Sequence, residues 1–332
     1  MLYPSASSSL ELVSALHSPG AVSALGSPAL FTTPVPITLH EPNVLLLDMA
    51  EYSLNNGEWH CREEILRLDT AARQELGWKT RGNVIAQPWV ETDETTPHKI
   101  RLRYALHSAI DITGAELALE DAEVSAVTLN GENAMPPDGW YVDKCIEKVK
   151  LPAIRPGENT LIIEKPFGKK SNLEACYLLG DFGVEVMGTL CVLTPPVKWL
   201  AFGDITRQGL PFYGGNITYH LEAESSGGFI EIEASQYRGH LLRVLVDGED
   251  RGAIVFSPYK LCINDLEDGA HKIDIVYFGS RINTFGQLHC VTRSKGYWWG
   301  NSSWLTEGAN WSYEYKFWEQ GVLKSPEIRT KG

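Results

Sequence analysis

Arg281, Asn283, Gln287 and His289 follow a β-branched run at 271–278, and they carry the donor and acceptor groups that polarise a carbonyl in a water-poor site. If that segment is extended, Asn283, Gln287 and His289 share strand parity and point into one cavity. A single histidine there serves equally well as a hydrogen-bonded core residue. Downstream, Trp298, Trp299, Trp304, Trp311 and Trp318 crowd into a short stretch with Tyr297, Tyr313, Tyr315 and Phe317. Aromatic faces stack on sugar rings or enclose an apolar polycycle. Tyr213, in the Gly-flanked segment Pro211-Phe-Tyr-Gly-Gly215, is expected to line the same end. The candidate catalytic set is therefore Arg281, Asn283, Gln287 and His289, with Tyr213, Trp298, Trp299, Trp304 and Trp311 as substrate-binding residues.

Other chemistries lack their residues. The chain has no nucleophile elbow, phosphate-cradling glycine loop, dinucleotide fingerprint or zinc-binding His-Glu-x-x-His helix. Six cysteines are widely spaced, with no Cys-x-x-Cys pair and no Cys/His cluster, which predicts reduced, mostly buried thiols and neither metal nor cofactor. Glycoside hydrolysis needs two carboxylates across a cleft. Asp181 with Glu185, and Glu222 with Glu224, can be nominated, but the second pair reads as a solvated strand face and Asp181 as a turn residue. A net charge of −13 without a basic cluster argues against nucleic acid, and no apolar run nears the ~20 residues of a bilayer span. The expected partner is a small molecule or a glycan.

The elements that must position these groups are strands. One pattern occurs twice: Val124 to Leu129 ending in Asn130-Gly131 and followed by Arg155 to Glu164, then Leu242 to Val246 ending in Asp247-Gly248 and followed by Glu267 to Tyr277. Asn-Gly and Asp-Gly accept the positive φ of tight turns, and the flanking residues alternate as half-buried strands do. Two copies in 332 residues predict an all-β chain of two sandwich units of similar architecture, at 40–200 and 201–332, after an N-terminal arm at 1–39. The arm lacks the basic start of a secretion signal, and Pro19 and Pro28 break its apolar residues. A cytoplasmic location is expected; three Asn-x-Ser/Thr sequons at Asn216, Asn301 and Asn310 keep secretion as the alternative.

Five segments carry a resemblance: Glu41 to Asp48, Leu178-Leu-Gly-Asp-Phe-Gly183, Gln208-Gly-Leu-Pro-Phe-Tyr-Gly214, Arg281-Ile-Asn-Thr-Phe-Gly286 and Trp298-Trp-Gly-Asn-Ser-Ser-Trp304. Together they resemble the C-terminal accessory region of large glycoside hydrolases. There, galactose-binding-like jelly rolls akin to the sugar-binding domain of family 2 enzymes follow a catalytic barrel. The resemblance implies two tandem jelly-roll β-sandwiches, and implies that bond cleavage belongs to a barrel for which this sequence has no room. The expected function is a cofactor-independent enzyme of small-molecule biosynthesis that folds a flexible apolar substrate for cyclisation. An intramolecular Diels–Alder reaction in fungal secondary metabolism is the specific form expected. The alternatives are a non-catalytic carbohydrate-binding protein and a structural or interaction protein.

Overall fold

In the computed structural model of the chain, residues 28–81, 90–291 and 303–331 are described. They form an all-β structure of sandwiched, mainly antiparallel sheets around two hydrophobic cores. The first 27 residues of the expected arm, with Trp298 and Trp299, lie outside the described residues.

Two 11-residue strands, His98–Ser108 and Gly157–Phe167, pair over their whole length and form the spine of the first sandwich. Their alternation sends Ile100, Leu102, Tyr104 and Leu106, with Leu161 and Ile163, into the core, while Arg101, Arg103 and Glu164 stay partly exposed. The facing sheet runs in the spatial order Asn43–Leu47, Cys176–Gly180, Glu116–Glu120, Asp143–Lys150 and Pro137–Tyr141. Asn43–Leu47 is buried at every position, because it lies inside the facing sheet's packed end and not on a half-solvated face. The chain then passes through Asp48 into Met49–Leu54, which pairs with His98–Ser108 in the opposite sheet. Asp48 therefore marks the point where one continuous segment changes sheets.

The second core is built mainly on Ile217–Ser225, Gly269–Tyr277 and Leu242–Val246 in one sheet, faced by Lys260–Ile263, Ile230–Glu233 and Glu327–Thr330. Its edge departs from the sequence expectation. Val35–Leu39, assigned to the arm, forms a strand between Trp199–Leu200 and Ile217–Ser225, and Val35 belongs to the second core. Its five residues, with Pro36 among them, are too short a run for alternation to announce a strand. The cysteines differ too: all six are unpaired, but Cys61, Cys145 and Cys262 are exposed, since they occupy the outward parity of their strands.

The doubled pattern becomes one local structure made twice. Ala126–Leu129 pairs with Gly157–Phe167, and Leu242–Val246 with Gly269–Tyr277. Asn130 and Asp247 both take φ of 53°. In each copy the turn residue's amide donates to the partner strand (Asn130 N to Thr160 O, 2.8 Å; Asp247 N to Lys272 O, 2.9 Å). In each copy its side chain accepts the return bond, from Thr160 N at 2.8 Å and Lys272 N at 3.0 Å. Asn130 also donates to Asn159, itself 1% exposed and bonded back to Arg155. Asn130→Ala is expected to destabilise the chain by about 1–2 kcal/mol through lost hydrogen bonds and left-handed strain. Chemical denaturation checks this, with Asn130→Gly recovering only the strain component.

Candidate functional site

The helix Ile65–Glu75 starts where Asp48 ends the facing strand: Ile65 N donates to the Asp48 carbonyl at 2.8 Å. Glu64 caps the helix, its Oε2 accepting from Arg67 N at 3.2 Å. Ile65, Leu68 and Ala72 face the core. Against this corner pack two segments from near the C-terminus, held antiparallel to one another by Ser312 N to His289 O (2.8 Å) and Lys316 N to Leu288 O (2.7 Å). Arg67 fixes them from the helix, donating to Thr306 O at 2.6 Å and lying 4.5 Å over the Trp311 ring.

The result is a buried polar cluster on the wall of a half-open pocket of about 410 Å³, lined by both apolar and polar side chains. Asp48 is 5% exposed; its Oδ1 accepts from the Tyr315 hydroxyl at 2.6 Å and its Oδ2 lies 3.2 Å from His289 Nε2. His289 Nδ1 donates to the Ser312 carbonyl at 2.8 Å, so the neutral ring would turn a lone pair toward the carboxylate. The imidazolium is favoured instead: burial opposes it, but the bond to Asp48 and its charge outweigh burial and raise the His289 pKa. Both nitrogens are then committed, and His289 orients Asp48; it is a positioning residue.

Glu64, also 5% exposed, behaves oppositely. Burial, then the Asp48 charge, push its pKa up to about 7, although the Leu66 and Arg67 amides and His289 pull the other way. Glu174, on another wall, is likewise raised to about 7 by burial and by Glu120, against Arg81 and Lys165. Near neutrality the cavity thus holds carboxyl groups able to donate a proton, beside a carboxylate whose charge is already matched. Leu46, Tyr177, Phe285 and Leu288 supply apolar wall.

The structure distributes the sequence-predicted residues over several jobs. Gln287, His289 and Trp304 line this cavity. Arg281 instead grips Glu41 bidentately at 2.8 and 2.7 Å and donates to the Tyr141 hydroxyl at 3.1 Å. Asn283 is fully buried and bonded both ways to the Trp318 backbone. Shared parity fails because Ile282–Phe285 is a helical turn, which rotates Asn283 away from Gln287 and His289. Tyr213 donates to the Asn216 carbonyl at 2.8 Å and accepts from His40 N at 3.2 Å inside the second core. Trp311 packs 6.0 Å from His289 and under Arg67.

Asp181, Glu185, Glu222 and Glu224 are all exposed. Sequence reading missed Asp48, Glu64 and Glu174. The available signal was an acid ending the wholly apolar run Val44 to Leu47, and a second directly before an amphipathic helix.

A second constellation has triad-like distances. His271 Nδ1 lies 2.6 Å from Asp247 Oδ2, and His271 Nε2 lies 3.1 Å from Ser225 Oγ. Its imidazole also meets the Glu267 carbonyl at 2.8 Å, and the Ser225 hydroxyl donates to that same carbonyl. The Asp247 hydrogen bond, followed by that carbonyl, raises the His271 pKa, and both ring nitrogens face acceptors, so the ring clasps two turns and is not poised as a base for the serine.

No family model matches the chain, and no curated protein does. Similar solved structures include a rhamnosidase from Novosphingobium sp. PP1Y, at 13% identity and a TM-score of 0.30, covering 71% of this chain and 23% of that one. Others are a β-D-mannosidase from Dictyoglomus thermophilum (13%, 0.28, covering 71% and 31%) and a GH2 β-galacturonidase from Eisenbergiella tayi (10%, 0.27, covering 71% and 36%). These neighbours are glycoside hydrolases, and the chain spans between about a quarter and a third of their length. Likeness at these scores carries no argument about activity.

A raised carboxyl pKa implies a pH-dependent stability cost. Unfolded, Glu64 ionises near 4.5; folded, near 7, so stability falls as pH rises through that window. The shift corresponds to roughly 3 kcal/mol at 1.36 kcal/mol per unit. Glu64→Gln, which keeps an oxygen for the helix cap, is expected to match the wild type near pH 4.5 and exceed its stability by about 1–3 kcal/mol at pH 8. Thermal unfolding across pH 4.5–8 checks this; parallel curves would contradict it.

Proposed function

We propose that the chain is an enzyme of small-molecule metabolism that encloses a flexible, largely apolar substrate in this cavity and promotes its cyclisation with side chains alone. The carrying observation is Glu64, a buried acid whose proton is retained up to about pH 7 at the wall of a pocket with apolar surface, beside the charge-matched Asp48, His289 and Tyr315. A neutral carboxylic acid in such a site donates a hydrogen bond to a substrate carbonyl and stabilises negative charge developing there. Confinement by Leu46, Phe285 and Leu288 removes much of the entropic barrier to bringing chain ends together.

An intramolecular Diels–Alder closure suits these means. Two π bonds become two carbon–carbon σ bonds, with no atom or electron gained or lost, and the acid acts by polarising the dienophile carbonyl. Burial, assisted by the Asp48 charge, holds Glu64 protonated; His289 and Tyr315 hold Asp48 in place.

The test is incubation of purified protein with linear polyene carbonyl compounds, read by mass-neutral conversion, alongside a glycan array. Conversion is expected to be high below pH 7 and to decline above it as Glu64 ionises. Glu64→Ala is expected to lower turnover on the order of 10²-fold or more. Glycan retention with unchanged polyenes would replace this reading with carbohydrate binding in the same cavity.

A further inference from the structure

We propose that the ligand of this cavity carries a protonated primary amine on an aromatic or aliphatic body, with Glu174 as its counter-ion and Gln287 as a second acceptor for its N–H groups. The inference rests on the preceding reading only in taking the cavity as a small-molecule site.

Among the described residues, the Glu174 carboxyl makes no hydrogen bond and no ion pair, although it lines the cavity and burial is the main cause of its raised pKa. Gln287 Oε1, on the same lining, is buried without a partner. A buried acceptor is rarely left unmatched, and Gln287 Oε1 is one; the part-exposed Glu174 carboxylate, once ionised above about pH 7, is a second acceptor on the same lining, so what the cavity lacks is a donor. An ammonium group brings three N–H donors and no acceptor.

Charge selects the same group. Asp48, Glu64 and Glu174 face the cavity, with His289 as the opposing charge and neither lysine nor arginine among its described lining residues. Above about pH 7, where Glu64 and Glu174 ionise, an anionic ligand is repelled. Asp48 is already served by Tyr315 and His289, and Glu64 by the helix amides, which leaves Glu174 as the carboxyl free to pair. Tyr177, Phe285 and Trp304 add aromatic surface, which favours a cation over its neutral isostere. At about 410 Å³ the space admits a bicyclic arylalkylamine.

Tryptamine and its alcohol counterpart tryptophol, titrated into the full chain at pH 7.5 by calorimetry, separate charge from shape. Tryptamine is expected to bind at least about tenfold tighter, a difference of ~1.4 kcal/mol. Glu174→Gln should bring the two within about threefold, with an unchanged circular dichroism spectrum, and Gln287→Met should weaken tryptamine alone. Equal binding of both probes, binding of neither, or a preference that survives Glu174→Gln overturns the inference. Turnover that ignores Glu64 while the amine preference holds would overturn the cyclisation chemistry and leave the ligand class standing.

Discussion

The site depends on the burial of one carboxylate. Removing Asp48 from water is costly unless its charge is matched and its oxygens hydrogen-bonded. Tyr315 and His289 supply both conditions, from positions 267 and 241 residues further along the chain. Ser312 fixes the ring orientation of His289, and Arg67 fixes the segment that carries Ser312. The corner formed by Asp48 and Glu64 is therefore completed only when the C-terminal segment docks on the first sandwich. Burial, and then the Asp48 charge 16 positions back along the chain, let Glu64 keep its proton to about pH 7 although it caps a helix.

This arrangement sets folding against chemistry. A helix N-terminus normally favours an ionised carboxylate. Here burial and the neighbouring charge win, and the cost appears as stability lost with rising pH. Glu174 repeats the pattern on another wall, under the influence of Glu120 instead of Asp48. Acids held neutral in this way occur where an environment is organised to move protons or to donate hydrogen bonds. The Asp247, His271 and Ser225 group shows the contrast: similar residue types at triad-like distances, but every donor is spent on fastening turns. Geometry between side chains does not make a site unless an unspent group faces a space that a ligand can enter.

Much of the fold was legible because it is local. Asn130-Gly131 and Asp247-Gly248 announce their turns through φ preferences that any chain context respects, and the alternation of Ile100 to Leu106 announces a strand by period alone. Val35–Leu39 was not legible: it is short, contains Pro36, and becomes a strand only because Ile217–Ser225 and Trp199–Leu200 offer edges on either side. Parity reasoning carried Gln287 and His289 to the cavity but misplaced Asn283, since one helical turn at Ile282–Phe285 resets the phase.

The sequence by itself determined the all-β class, the twice-made turn that locks each unit's central strands, and the concentration of polar and aromatic residues between 281 and 318. Each of these follows from short-range backbone preferences or from composition. Only the tertiary structure decided which acids matter. Asp48, Glu64 and Glu174 resemble the chain's other carboxylates in sequence, and they become distinct through the burial of the first two and the pocket wall that all three share, which depends on segments hundreds of residues apart meeting at one corner.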